Sequence, residues 1–172
     1  LRKESFDEAR EVFDKVKAQA PKRKELWEDS LRSAEFWSLV KKAEAQRADG
    51  KLDEARAGLE EAITKSPKDA MHAELVLANV YVDAERFTEA QALFEVLAEK
   101  DPKNVAALKG LVELYLRSGE QSKALAANEA LGAIDQNAAY KENWIRAEVL
   151  RRDAVEKRKI GLLVEAESLL DA

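Results

Sequence analysis

The sequence predicts an all-α fold, a solenoid of antiparallel helix pairs interrupted by extra helical insertions. Three observations support this fold class. A motif centred on an alanine recurs along the chain at intervals of 46, 35, 34 and 42 residues. The composition, rich in Ala, Leu, Glu, Lys and Arg, favours helices, and only 3 Pro and 6 Gly interrupt it. Intervals of this size are typical of repeats in which each unit is one helical hairpin.

The motif alanine is expected to lie where the second helix of a hairpin approaches the first. Residues four and seven positions later share its helical face and form a buried stripe. The alanines are Ala9, Ala55, Ala90, Ala124 and Ala166, followed at the fourth position by Phe13, Leu59, Phe94, Asn128 and Leu170, and at the seventh by Val16, Ala62, Leu97 and Leu131. The first helices also share a recurring small or apolar position, and Tyr81 and Tyr115 share another that is assigned to the core. The residues at the first of these positions are Ala43, Ala78, Val112 and Ala154.

Glycine and proline residues that end helices mark the limits of each hairpin. Five residues before the alanine, a glycine is expected to end the first helix in a left-handed turn, at Gly50, Gly119 and Gly161. Twelve residues after it, a proline lacking the backbone N–H stops the second helix, at Pro21, Pro67 and Pro102. Two positions depart from the pattern: Glu85 replaces a turn glycine, and Asn128 replaces an apolar residue.

This pattern resembles the tetratricopeptide repeat (TPR), a 34-residue helical hairpin, and so implies a TPR α–α superhelix. We expect one array: a second helix at 4–21, an inserted helix at about 22–35, repeats at 36–69, 71–104 and 105–138, an inserted segment at 139–146 and a degenerate repeat at 147–172. Because a solenoid needs polar capping repeats at its ends, we also expect the chain to be a fragment of a longer array.

Each insertion keeps helical spacing of apolar residues without a breaker, so each is predicted to be helical. It either prolongs the following first helix or stands beside it as a separate helix. Ordinary insertion is one interpretation, and a changed angle between neighbouring repeats is the other. We favour the second because Trp27 and Trp144 need burial, which the inserted helix can supply.

The sequence argues against catalysis and against several kinds of partner. A net charge of -5 with both signs interspersed does not favour nucleic acid, and no apolar run approaches the roughly 18 residues of a membrane span. His72 is the single histidine and is expected to be a solvated surface residue at the start of a helix. Without cysteine, a phosphate-binding glycine loop or a metal-ligand spacing, we predict no enzyme activity, no cofactor and no metal.

Tryptophans raise the question of carbohydrate binding, because flat aromatic rings stack on sugars. Trp27, Trp37 and Trp144 stand in apolar helical stripes, which favours the core over a binding platform. A basic cluster around Arg151 is interleaved with acids at helical spacing. That spacing predicts ion pairs on a solvated face, with an anionic partner as the alternative.

Binding in the TPR family generally uses a groove lined by first helices. Carrying these groove positions over gives the candidate partner-binding residues Trp37, Lys41, Glu44, Arg47, His72, Asn79, Asp83, Lys109, Glu113, Arg117, Arg151 and Arg152, followed by Arg158 and Lys159. Some members clamp a peptide carboxylate with lysines, arginines and asparagines. Asn79 matches that clamp, but Val40 and Leu75 stand where lysines are needed, so a co-chaperone role is not expected.

A narrower resemblance rests on Trp27 and Trp37 ten residues apart, the Lys51–Ala55 motif, Pro67, and a late basic helix leading to Gly161. This order resembles the periplasmic TPR region of the cellulose synthase operon protein C family. The resemblance implies an export scaffold, part of an outer-membrane protein, that bridges the inner-membrane synthase and the outer membrane. Expected partners are cellulose synthase complex components, with a glucan chain or peptidoglycan as further ones. The alternatives are a cytoplasmic adaptor that binds a peptide or helix in its groove, and an accessory domain of a larger enzyme.

Overall fold

The computed structural model describes residues 8, 11–12, 14–15, 24–137, 139–140, 142–157 and 160–171. Several predicted features lie outside the described residues. These are Ala9, Phe13, Val16 and Pro21 of the first predicted helix, the side chains of Trp27 and Ala154, and the candidate residues Arg158 and Lys159.

Within the described ranges the chain is α-helical, with one short 3-10 helix and no β-strand, so the predicted all-α class is confirmed. The helices are α1 (Lys24–Ala48), α2 (Leu52–Lys65), the 3-10 helix (Pro67–Asp69), α3 (Ala70–Asp83), α4 (Phe87–Lys100), α5 (Val105–Ser118), α6 (Gln121–Ile134), α7 (Glu142–Lys157) and α8 (Ile160–Leu170). No helix in these ranges is both long enough and apolar enough to cross a membrane.

The helices form two compact units, Leu1–Ala90 and Gln91–Ala172. In the first unit α1 packs on α2, α2 packs on α3, and α1 also touches α3. In the second unit α5 packs on α6 and α7 on α8, while α7 contacts both α5 and α6. Turns of two or three residues join α1 to α2 and α5 to α6, which makes these neighbours antiparallel.

The four motif alanines that the structure describes are buried, as predicted. Ala55, Ala90 and Ala124 are 0% exposed and Ala166 is 1% exposed. The apolar residues after them, such as Leu59 and Leu97, are also fully buried, and each such side chain contributes about 2 kcal/mol of hydrophobic stabilisation. Periodicity therefore located the second-helix core correctly.

In the second unit the ring of Phe94 lies directly over Gly110. A Cβ at Gly110 would come within 2.6 Å of two carbons of that ring, which is closer than nonbonded carbons can approach. Tyr115 is also buried, and its hydroxyl donates to Glu95 Oε1 at 2.8 Å. Burial, and then the neighbouring carboxylate, raise the pKa of Tyr115 to about 12.

Three helix-ending turns share one geometry. At Gly50, Gly119 and Glu85 the backbone is left-handed, with φ of 75°, 76° and 56°. In each turn the N–H of the next residue bonds at 2.8 Å to the carbonyl five residues earlier, which satisfies a carbonyl that the helix leaves free. Glycine adopts this conformation without strain, whereas Glu85 does not.

The two described prolines stop second helices as predicted. α2 ends at Lys65 and Pro67 opens the 3-10 helix, whose start is tied by a 2.7 Å hydrogen bond from Ser66 Oγ to Asp69 Oδ2. α4 ends at Lys100, two residues before Pro102, and Asn104 then caps α5 by accepting from the N–H of Ala107 at 3.0 Å.

Some predictions were wrong in detail. Gly161 does not end a helix, because α8 begins at Ile160 and so contains it. Tyr81 is only half-buried, and the guanidinium of Arg86 lies over its ring at 4.8 Å. Leu170 is 50% exposed, because α8 ends at that residue.

The first predicted insertion continues directly into the following helix. α1 runs without a break for 25 residues from Lys24 to Ala48. Phe36, Val40 and Ala43 are buried along one of its faces, and Ala34 is buried as well. In the second insertion, Ala139 and Tyr140 are not helical and α7 begins at Glu142.

Candidate functional site

Six of the predicted groove residues meet on one face of the first unit. Trp37, Lys41, Glu44 and Arg47 follow one another at three- or four-residue intervals on α1, so they line up along that helix. His72 and Asp83 come from α3 and meet them. We call these six residues the α1–α3 cluster.

At one end of the cluster, Trp37 lies between an aromatic core residue and the histidine. Its ring meets Phe36 edge-on at 5.2 Å and an 84° angle, and His72 at 5.1 Å and 49°. His72 Nε2 lies 3.5 Å from Glu44 Oε1. The His72 side chain is 43% exposed, yet Nε2 itself is covered and has no hydrogen-bond partner among the described residues. His72 is therefore not the fully solvated residue that the sequence predicted.

Ion pairs hold the rest of the cluster. Arg47 Nε donates to Asp83 Oδ2 at 2.5 Å and its Nη2 donates to Oδ1 at 3.3 Å, which links α1 to α3. Lys41 Nζ donates to Glu44 Oε2 at 2.6 Å within α1. Next to these pairs is a cavity of about 260 Å³ lined by Glu44, Arg47, Ala48, Val76 and Asp83. Two carboxylates and one guanidinium face it, so the lining carries a net negative charge.

Asn79 does not join this cluster. Its side-chain Nδ2 donates to the carbonyl of Leu75 at 2.9 Å, one turn earlier in α3. The predicted clamp match, Asn79, is thus engaged with its own helix. Val40, which stands where the clamp needs a lysine, is fully buried. Both observations agree with a clamp that is incomplete.

In the second unit, an aromatic pair takes the place of the ion pairs. The rings of Tyr140 and Trp144 are stacked, with centroids 4.9 Å apart and an interplanar angle of 19°. The hydroxyl of Tyr140 donates to Glu113 Oε1 on α5 at 3.1 Å. Trp144 remains 37% exposed, which contradicts its predicted burial: the insertion supplies the face of Tyr140 but does not enclose the indole.

Asn128, on α6, holds Tyr140 of the aromatic pair in place. Its Nδ2 donates to the carbonyl of Tyr140 at 2.8 Å, and its Oδ1 accepts from the Tyr140 N–H at 2.7 Å. Asn128 is itself buried, at 8% exposure. The sequence had marked it as a departure from the apolar stripe, and a buried amide requires partners. Sequence reasoning missed Tyr140 as that partner, because the contact spans twelve residues without a recognisable motif.

Burial, and then the charge and hydrogen bond of Glu113, raise the pKa of Tyr140 above its ordinary value. The phenol therefore stays protonated and able to donate. Glu113 is the α5 candidate that the fold brings to this pair. Lys109, half-buried, and Arg117, exposed, lie one turn before and one turn after it on the same helix.

The candidates Arg151 and Arg152 both bind Glu148, so the predicted ion pairs of the basic helix are present. Arg151 Nε and Nη2 donate to the two carboxylate oxygens at 2.8 and 2.7 Å, and Arg152 Nε donates to Oε1 at 2.6 Å. The Arg151 hydrogen bond first, and the Arg152 hydrogen bond after it, lower the pKa of Glu148 to about 2 against the opposing effect of burial. Arg151 remains 49% exposed.

Comparison with known proteins agrees with this architecture. A family model described as tetratricopeptide repeat matches residues 46–101 and 81–142, more than half of the chain. The chain belongs to the tetratricopeptide repeat family. Members of this family are typically non-catalytic protein-interaction modules. Within the described residues, no group of three or more His, Cys, Asp and Glu side chains is arranged to hold a metal ion.

A curated relative of this TPR chain is cellulose synthase operon protein C from Xanthomonas axonopodis pv. citri (strain 306), which is 31% identical over 173 residues. The match covers 100% of the chain but only 11% of that relative's length. The narrower resemblance predicted from the tryptophan spacing is therefore confirmed. A solved structure, MamA MSR-1 C2, superposes with a TM-score of 0.60 over 99% of this chain and 97% of that one, at 17% identity. At that identity the likeness shows the fold alone.

Proposed function

We propose that this chain is a periplasmic segment of a bacterial cellulose export machinery, where it serves as a docking scaffold between the inner-membrane synthase and the outer membrane. The carrying observation is the 31% identity to cellulose synthase operon protein C along the whole chain. A TPR module supports such a role because first-helix faces stay available for partner segments.

The α1–α3 cluster is the docking site that this proposal requires in the first unit. Trp37 and Arg47 are residue types that dominate the binding energy of interfaces. The cavity beside them has a net negative lining. A lysine or arginine of the partner can enter it and bind Asp83 and Glu44, so we expect the docked segment to carry a basic side chain.

A binding experiment with matched variants tests this function. The chain is immobilised, and its affinity for purified periplasmic domains of a cellulose synthase complex is measured by biolayer interferometry. We expect Asp83→Ala to weaken binding about tenfold, because it removes the acceptor for the basic side chain. Glu60→Ala on α2 removes the same charge from a comparably exposed ion pair outside the cluster, and we expect it to change affinity less than about twofold.

The possible outcomes distinguish the scaffold role from the choice of the α1–α3 cluster as its docking surface. If wild-type protein and both variants bind equally, the scaffold role stands and the α1–α3 cluster is the wrong surface. If folded wild-type protein binds none of the periplasmic domains, the export role is wrong. Capture of cytoplasmic peptides or helices in its place would favour the adaptor alternative.

A further inference from the structure

Trp144 is an unusual surface residue. It is 37% exposed although it belongs to a helix whose adjacent Ile145 is fully buried. Its ring is stacked on Tyr140 at a 19° angle, so the two aromatic planes are nearly parallel. Tyr140 covers one face of the indole, and the part of Trp144 that stays exposed next to a buried core points to a ligand.

The pair is also held rigidly before any ligand arrives. Three hydrogen bonds fix Tyr140: the Asn128 amide donates to its carbonyl and accepts from its N–H, and its hydroxyl donates to Glu113. The contacts come from α5 and α6, while Trp144 comes from α7. A surface anchored by three helices loses little conformational entropy on binding, which favours recognition of a weakly interacting ligand.

Charged groups follow the aromatic pair along α7. Glu148 and Arg151 come four and seven residues after Trp144, about 6 and 10 Å further along the helix axis. Arg151 uses two of its five N–H donors on Glu148 and stays 49% exposed, so further donors can reach a ligand. The surface thus combines a flat apolar platform with hydrogen-bond donors within the length of a sugar residue or two.

A β-1,4-linked glucan matches this combination. Its ring hydroxyls are equatorial, so each pyranose presents a flat face of C–H bonds and a polar rim. We propose that the Tyr140–Trp144 pair is a stacking platform for a β-1,4-glucan chain, with Arg151 donating to the hydroxyls of the next ring. The choice of sugar rests on the proposed function, because cellulose is the glucan that the relative's name specifies.

The test is a titration of the ¹⁵N-labelled chain with cellohexaose, followed by NMR. The indole N–H signal of Trp144 is identified by its loss in Trp144→Phe. We expect this signal to shift with a dissociation constant on the order of 1 mM, while the Trp37 indole in the first unit stays in place. Maltohexaose, with the same composition but α-linked and not flat, is expected to bind at least about tenfold more weakly.

Substitutions then test whether cellohexaose binds at Trp144 and Arg151. Trp144→Ala is expected to weaken cellohexaose binding about tenfold, and Val96→Ala, which truncates an exposed apolar side chain on α4, to leave it unchanged. Arg151→Gln is expected to weaken binding about threefold while the Trp144 shift persists. Circular dichroism confirms folding, and the wild-type NMR shift is decisive even where a variant fails to fold.

The proposal is overturned if the Trp144 signal does not shift at cellohexaose concentrations up to about 10-fold above the expected dissociation constant. It is also overturned if maltohexaose binds equally well, or if Trp144→Ala binds cellohexaose like wild type. These failures are distinct from failure of the scaffold. Loss of glucan binding with intact docking to the synthase domains refutes only the platform, and the reverse result refutes only the docking role.

Discussion

The two units bring neighbouring first helices together by different means. In the first unit, side chains of α1 and α3 contact each other directly through the Arg47–Asp83 pair and the Trp37–His72 rings. In the second unit, Tyr140 lies between α6 and α7 in sequence, and its hydroxyl reaches Glu113 on α5. Its backbone is bound by Asn128 of α6.

The difference follows from how each insertion is accommodated. α1 continues through its insertion, so its backbone N–H and C=O groups are satisfied within the helix. Tyr140 lies outside a helix, and its backbone groups need another partner. A polar residue in the apolar stripe supplies that partner. An insertion in this repeat is therefore tolerated either by extending a helix or by changing one core residue to an amide.

The buried motif alanine, a position that recurs in each unit, offers the largest expected effect. Ala90→Trp places an indole at a fully buried position, and we expect unfolding free energy to fall by about 3 kcal/mol and the melting temperature by about 10 °C. Thermal unfolding followed by circular dichroism measures this. Ala92→Trp, on the exposed side of α4, is the control and should melt like wild type. An unchanged melt for Ala90→Trp would show that the repeat register is wrong.

The Asn128 contact distinguishes the second unit from the first. Asn128→Ala removes two hydrogen bonds to Tyr140, and we expect a loss of about 2 kcal/mol in urea unfolding. Hydrogen exchange should also show loss of protection at the Tyr140 amide, which donates to Asn128. Glu129→Ala, the exposed neighbour, should change neither quantity. Retained protection at Tyr140 in Asn128→Ala would contradict the proposed anchoring.

The ion pairs of α7 should give a smaller effect that depends on pH. Glu148 has a pKa of about 2 in the folded chain, below its ordinary value of 4.5, so the fold favours the ionised form. The resulting stability is present above about pH 4.5 and is lost as the pH falls toward 2.

We therefore expect Glu148→Gln to lower the unfolding free energy by about 1 kcal/mol at pH 7 and by only a small fraction of that at pH 2, where half of the folded chains carry a neutral Glu148. The figure at pH 7 is reduced because both arginines are partly exposed. Urea unfolding at the two pH values measures it. Glu165→Gln on α8 is exposed and should be neutral at both. An equal cost at both pH values would mean that packing, and not charge, is responsible.

The turn residues offer effects of about 1 kcal/mol or less and compare the units directly. Glu85 in the first unit and Gly119 in the second adopt the same left-handed turn. Glu85→Gly removes the steric cost of a side chain there, so we expect a gain of about 0.5 kcal/mol. Gly119→Ala should lose about 1 kcal/mol in the same chemical denaturation assay. If both substitutions are neutral, the left-handed geometry carries no strain.

The groove was predicted in part. Six candidates of the first unit meet as one cluster because they stand on aligned turns of two first helices, at groove positions that the TPR resemblance implied. Asn79 was carried over from the same family positions, but its side chain donates to a carbonyl of its own helix. Helical position shows which face a residue shares, and competition with the backbone decides whether its side chain is available.

The sequence alone determined the helical class, the buried alanines of the described repeats, the helix boundaries at Gly50, Gly119, Pro67 and Pro102, and the family, because each depends on local spacing or on residue chemistry. Only the tertiary structure decided the stacking of Tyr140 on Trp144, its attachment to Asn128 and Glu113, and the contact of His72 with Trp37. These contacts join residues on different elements at irregular separations. Their formation depends on how helices pack in three dimensions, which periodicity along one chain does not encode.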